Sequence, residues 1–256
     1  PSADVNYYVD YSNCFFGAKT NIDIAMLTHA DLNSKEWLEQ SFFRHSAHRL
    51  DGIVSMNQRY TNMLPEIGYP PKKTVTIIPG ETYEMFQLKK IVIGIVSRGG
   101  YPGYGQYTME NLFANYDLSN FKFRFLGNGW NNLIPIANNK KIELELLTDA
   151  DYSIYPKFYQ NIDYLLIPSN YTAGPISFQE SLSTGVPIIS SDVGFNNYEF
   201  KADYTYEPNN CDQLYAILME ILEPMKKRRA QVENMRWSNY VDQLNEFILK
   251  IKNNKK

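Results

Sequence analysis

Cysteine and histidine are scarce in this chain, at two and three residues in 256. Cys14 and Cys211 cannot build a disulfide scaffold, and a reducing compartment is the expected setting. With so few imidazoles and no Cys pair, no metal centre is expected. An excess of charge of one sign is lacking too: 25 basic against 28 acidic residues leave a net charge of −3. No global field is available to hold a phosphate backbone, so no nucleic-acid partner is expected. No apolar run approaches the ~18 residues of a membrane span, and no signal peptide is visible. The G-x-x-x-x-G-K-[ST] phosphate loop is absent, which excludes nucleotide hydrolysis by that route. The G-x-G-x-x-G dinucleotide fingerprint is absent, and no G-x-S-x-G elbow surrounds Ser177 or Ser181.

What is present is an ordinary globular composition, 44% apolar and 21% charged. The length suits one or two domains of about 150 residues. Short apolar runs read as strands at residues 24–28, 52–56, 74–78, 91–96, 121–127, 142–147, 164–168 and 187–190. Helical patterns stand between them. Asn33 and Glu36 suggest a capping box opening a helix over 34–46. Further helices are expected over 58–67, 109–116, 131–137, 156–160, 177–184 and 212–222, and from about 226 to 252. Residues 1–20 show no clear period, and 81–90 read as a linker. Strands alternating with helices predict parallel sheets in an α/β fold. Residues 91–256 hold a full doubly wound domain, while 1–90 hold a smaller, partial one.

In such sheets ligands bind beyond the carboxyl ends of the strands. Three segments qualify. The first is the loop RGGYPGYG, 98–105, where Arg98 suits a phosphate and Gly99 and Gly100 let backbone approach a ligand; a surface loop with a solvated arginine is the other reading. The second is 168–190, where Gly174 and Pro175 open a helix whose N-terminus suits an anion. Glu180 lies one turn inside it, facing either vicinal hydroxyls or water. The third is the turn LGNGW, with Gly127 and Gly129. His29 stands at a strand end, in either a catalytic or a capping position. Asp149 and Asp151 offer carboxylates to a cation or to water. The basic run Lys226, Lys227, Arg228 and Arg229 is either the wet start of a long packed helix or a patch for an anionic membrane.

The succession IVIGIVSRGG, FKFRFLGNG, IELELL, IDYLLIPS and GPISFQESLSTGVPIISSDVG resembles the donor half of a GT-B glycosyltransferase, most closely the retaining family 4 type. The resemblance covers 91–256 and is densest over 164–194. The terminal helix with Trp237 is similar to the family's returning helices, and the segment ending VTIIPG resembles the end of its N-terminal domain. A GT-B-like fold is implied, with an acceptor-side domain over 1–90 and a nucleotide-sugar domain over 91–256, the last helix packing back on the former. The resemblance implies that Glu180 contacts the donor ribose and Arg98 the diphosphate. It implies that Gly174, Pro175 and Ile176 cradle sugar and phosphate, that Gly99, Gly100, Gly127 and Gly129 lie beside the nucleotide, and that His29 lies on the acceptor side.

Two departures stand out. Thr172 occupies the place of the first glutamate of the family's E-x7-E motif, which touches the donor sugar. Tyr104-Gly105 replaces a Lys-Gly pair that grips the diphosphate. The first domain is also about half the usual family length, and the chain opens at Pro1; a longer parent protein and a compact enzyme that borrows its acceptor surface are both compatible with this. The implied activity is retaining transfer of a sugar from a nucleoside-diphosphate sugar, UDP or GDP, to a hydroxyl of a saccharide, lipid-linked or protein-linked acceptor. No metal or other cofactor is implied. The implied location is cytoplasmic, with peripheral membrane contact through the C-terminal basic segment. A silent nucleotide-sugar-binding or scaffold subunit is the alternative.

Overall fold

The computed structural model describes residues 4–15, 20–28, 47–82, 85–198 and 200–255. Two compact units divide the chain: residues 88–229 form one, and residues 1–87 with 230–256 form the other.

The smaller unit is built on a parallel sheet in the order β1 (Val5–Tyr8), β2 (Ile22–Leu27), β3 (Gly52–Ser55) and β4 (Thr74–Thr76). Every residue of β2 and β3 is buried, as apolar strands covered on both faces must be. Ala25, Leu27 and Ile53 pack with Leu50, Leu64 and Tyr69 on one face. Ile22, Ile24 and Val54 pack on the other against Tyr240, Phe247 and Ile251 of the C-terminal helix, Trp237–Asn254. Helix α1 (Gln58–Met63) is capped by the Asn57 side chain, which accepts from the Tyr60 N–H. The helix expected over 58–67 stops there, and a 3-10 turn, Leu64–Ile67, follows. Pro65 has no N–H to continue the α-helical ladder. The proposed helix over 34–46, with its Asn33–Glu36 box, lies outside the described residues.

The larger unit carries β5 (Ile91–Val96), α2 (Gln106–Asn115), β6 (Phe121–Leu126), α3 (Leu133–Lys140), β7 (Glu143–Leu147), α4 (Tyr155–Tyr159), β8 (Tyr164–Ile167), α5 (Ile176–Thr184), β9 (Ile188–Ser191), α6 (Phe195–Tyr198), β10 (Tyr204–Tyr206) and α7 (Cys211–Ala230). Its six strands are all parallel, in the order β10-β9-β8-β5-β6-β7. The chain winds outward from β5 through β6 and β7, then restarts beside β5 at β8. The α/β class, with a doubly wound parallel sheet, is therefore the fold observed.

β6 is not a uniformly apolar strand. Phe121, Phe123 and Phe125 are fully buried, while Lys122 and Arg124 between them face the other side. The register sets Arg124 beside Glu145 of β7, and the guanidinium donates to both carboxylate oxygens at 3.0 and 2.9 Å. Lys122 reaches the same carboxylate at 3.1 Å. The Arg124 hydrogen bonds, helped by Lys122, hold the Glu145 carboxyl below the ordinary value of 4.5. A depressed carboxyl stabilises the fold above its unfolded value and loses that stabilisation as pH falls through the folded one. Glu145→Gln is thus expected to lower the urea midpoint at neutral pH. The gap to the parent protein should close below about pH 4.5, and a gap unchanged at acid pH would remove the ion pair from the account.

The C-terminal expectation needs correction. The basic run does not open the last helix; it closes α7, which runs through Pro224 to Ala230. Cations at a helix C-terminus complement the dipole, which explains the placement. The last helix begins only at Trp237, and residues 231–236 form the turn between them. Strands β1 and β10, both short, were not expected from the sequence.

Candidate functional site

A cleft of about 710 Å³ opens at the carboxyl ends of β5, β6, β7 and β8, where the strand order reverses. That switch point is where a parallel sheet leaves room for a ligand, because neighbouring connections depart to opposite faces.

The turn after β5 is fastened to the turn after β6. The Gly99 N–H donates to the Asn128 carbonyl at 2.7 Å, and the buried Trp130 indole donates to the Ser97 carbonyl at 3.0 Å. Gly99 and Gly129 face each other so closely that a Cβ on either would lie 2.3–2.4 Å from the other's carbonyl oxygen. Between these anchors Arg98 lines the cleft, exposed, with no ion-pair partner among the described residues. The Ser97 hydroxyl next to it is buried with no hydrogen-bond partner among the described residues.

The glycine-rich segment that follows is no loose loop. Residues Pro102–Tyr104 form a 3-10 turn closed by Gly105 at φ 86°. A Cβ at Gly105 would sit 2.1 Å from the Pro168 carbonyl oxygen, so only glycine fits. The Asn170 N–H donates to the Gly103 carbonyl at 2.8 Å, and the Tyr171 ring lies over Gly103. The turn is thereby packed against the segment leading to α5. Tyr104 lines the cleft, and its ring meets Tyr101 edge-on at 5.5 Å.

Helix α5 starts at the cleft. Pro175 is its N-cap and supplies no side-chain acceptor for the first N–H groups. Gly174, Pro175, Ile176 and Gly127 line the cleft. Thr172 also lines it, and its hydroxyl accepts from the Gly174 N–H at 3.3 Å. Glu180, one turn along α5, accepts from the Tyr152 hydroxyl on Oε1 at 2.6 Å and from the Tyr159 hydroxyl on Oε2 at 2.7 Å. The hydrogen bond to Glu180 raises the Tyr152 pKa, and burial followed by the same carboxylate raises that of Tyr159. Both phenols therefore stay protonated and donating at physiological pH. Asp149 and Asn128 clamp each other across the cleft wall: the Asn128 amide donates to Asp149 Oδ1 at 2.7 Å and accepts from the Asp149 N–H at 3.0 Å. Asp151 caps a short turn by accepting from the Ser153 N–H at 2.8 Å.

Arg98, Gly127, Thr172, Gly174, Pro175, Ile176 and Glu180 thus come together in one cleft. Gly99, Gly100 and Gly129 do not line it. The first and third hold the two turns together, and the Gly100 N–H donates to Gln106 Oε1 at 2.7 Å. His29 lies outside the described residues. The sequence reading missed Tyr152, Tyr155 and Tyr159. Their spacing of three and four residues puts all three on one side of the turn and helix before β8, and that periodicity was the available signal. Among the described residues no helix is long and apolar enough to cross a membrane. No group of three or more His, Cys, Asp or Glu among them is placed to hold a metal ion.

Solved structures similar to this chain include the apo lipopolysaccharide outer core galactosyltransferase WaaB, at 15% identity, covering 97% of this chain and 75% of that one, with a TM-score of 0.44. Anabaena Alr3699/HepE in complex with UDP-glucose is 15% identical over 96% of this chain and 78% of its own, with a TM-score of 0.46. The catalytic domain of the cholesterol-α-glucosyltransferase from Helicobacter pylori is 15% identical over 60% of this chain and 99% of its own, at 0.46. No curated protein sequence matches the chain significantly. The sequence profile described as glycosyl transferases group 1 matches residues 89–237. That span is more than half of the chain and takes in every residue lining the cleft, and by this match the chain belongs to the glycosyl transferases group 1 family.

Proposed function

We propose that the chain transfers a sugar from a nucleoside-diphosphate sugar to an acceptor hydroxyl with retention of configuration, as the family 4 type does. The observation that carries this reading is the pairing, in one cleft at the switch point, of an arginine with no ion-pair partner among the described residues and a helix start that lacks a capping side chain. Both offer positive potential to the same anion. As the bond from the anomeric carbon to the diphosphate breaks, charge grows on the leaving oxygen. Arg98 and the first N–H groups of α5 meet that charge without rearranging. The acceptor oxygen bonds to the anomeric carbon from the same face, and its proton passes to a phosphate oxygen. Glu180 takes the ribose hydroxyls, and Gly174 to Ile176 cradle the sugar. UDP and GDP sugars are the donor class, a saccharide, lipid-linked or protein-linked molecule the acceptor, and the cytoplasm the location. The basic end of α7 offers anionic lipid headgroups a contact within the same reading.

A second reading, a nucleotide-sugar-binding subunit without turnover, is favoured by Thr172. A neutral hydroxyl already accepting from Gly174 stands where the family resemblance expects a carboxylate on the donor sugar. Calorimetric titration with UDP, GDP, ADP and TDP, then with the matching sugars, tests both. One diphosphate is expected to bind at least tenfold more tightly than its monophosphate, which presents fewer charge-assisted contacts. Product with the donor's anomeric configuration, seen by proton NMR, supports the transferase; binding without turnover supports the subunit. Absence of any diphosphate binding overturns both.

A further inference from the structure

Arg98 and the start of α5 line the same cleft. Glu180 lies four residues further along the helix, about 6 Å by helical rise. Its carboxylate leads in turn to Tyr152, whose ring packs against Tyr155 at a centroid separation of 4.7 Å. Both rings line the cleft, and Tyr152 is 65% exposed. A phenol so exposed is usually free to choose among rotamers. This one is held at both ends, by Glu180 at its hydroxyl and by Tyr155 at its ring. Tyr159 holds the other carboxylate oxygen from a buried position, so Glu180 is itself fixed.

We propose that Tyr152, backed by Tyr155, is the platform on which the nucleobase of the donor stacks. The proposal deepens the reading of the cleft as a nucleoside-diphosphate site and rests on it. The Tyr152 hydroxyl is bonded to the carboxylate proposed for the ribose and its ring lines the same cleft, so the ring stands beside the ribose site, where the base of such a ligand is attached. Glu180 accepts one hydrogen bond on each oxygen from the tyrosines, which leaves a lone pair on each for the ribose hydroxyls. Ribose therefore binds without displacing Tyr152, and the ring stays in place beside it. Every nucleobase presents a π face, so the platform selects for a base being present rather than for one base.

The ring and the hydroxyl of Tyr152 make separable contributions. Titrations of the 256-residue chain with UDP and with inorganic pyrophosphate, in wild type, Tyr152→Phe and Tyr152→Leu, separate them. Tyr152→Leu is expected to weaken UDP roughly tenfold or more, the range of lost base stacking, and to leave pyrophosphate unchanged. Tyr152→Phe keeps the ring and is expected to stay within about fivefold of wild type for UDP, the worth of a typical net hydrogen bond. Equal UDP affinity in wild type and Tyr152→Leu would overturn the platform. Equal losses in Phe and Leu would overturn it too, since the hydroxyl's hold on Glu180 would then account for the whole effect. Wild-type protein that binds pyrophosphate as tightly as UDP would overturn the platform while keeping the anion site. Wild-type protein that binds neither would overturn the underlying reading as well.

Discussion

Arg98→Ala is expected to lower affinity for a nucleoside diphosphate by roughly ten- to a hundredfold and to leave affinity for the bare nucleoside unchanged. A hydrogen bond to a charged group contributes about 1.5–3 kcal/mol, and bidentate contact with phosphate lies at the upper end. The loss should be large because Arg98 is the one cation among the described residues lining the cleft. The neighbouring place where the family resemblance expects lysine is Tyr104, which carries no charge. Arg98→Lys keeps the charge but not the fork, and should recover only part of the affinity. Added salt should weaken the wild type and leave the alanine variant nearly unaffected, because only the former relies on a partly exposed ion contact. Calorimetry at two ionic strengths reads both effects. A variant that binds the diphosphate as well as wild type would move the phosphate site elsewhere.

The second large effect concerns stability. Gly105→Ala places a Cβ against the Pro168 carbonyl oxygen at 2.1 Å, on a backbone with φ 86°. The left-handed conformation costs a residue with a side chain about 1–2 kcal/mol. Forcing atoms into occupied space costs a further ~1–3 kcal/mol. In a chain of this size about 2–4 °C of Tm is lost per kcal/mol, so a fall of roughly 5–15 °C is expected by calorimetry. Gly185→Ala is the matched control. It has φ 72° at the end of α5 but nothing within 4 Å of a new Cβ, so only the conformational part should appear. If the two variants lose the same Tm, the packing of the glycine turn on Pro168 contributes nothing to the fold.

The strands of the larger unit were legible because burial on both faces makes them apolar runs bounded by glycine, proline or a polar turn. β5 and β8 are such runs, and each appears within a residue of its expected bounds. β1 escaped because its four residues, Val5, Asn6, Tyr7 and Tyr8, are only half-buried and show no regular alternation. β10 escaped because three residues are too few to show a period. The extent of α7 was misjudged because Pro224 reads as a break, although the helix passes through it. At the cleft, Arg98 and the start of α5 were legible from their places after strands, and Glu180 only through the family resemblance. The tyrosines were not, since their three- and four-residue spacing marks a shared side but does not tell a core face from a surface or a ligand-facing one. Only the partner distinguishes them, and Glu180 lies 21 residues from Tyr159. The roles of Gly99 and Gly129 were hidden for the same reason: each is fitted to the other, across a separation that no local pattern spans.

The mutual fit of Gly99 with Gly129 has a consequence for how this sequence can drift. Each glycine excludes a side chain at the other, so either substitution alone meets the same collision from opposite sides. Once the first has pushed the two turns apart, the second finds the space already open. The pair should therefore be strongly non-additive, the double variant costing less than the sum of the singles. Neither position can change first without loss. A lineage that leaves this arrangement must move both turns together, carrying the Arg98 backbone and the cleft with them.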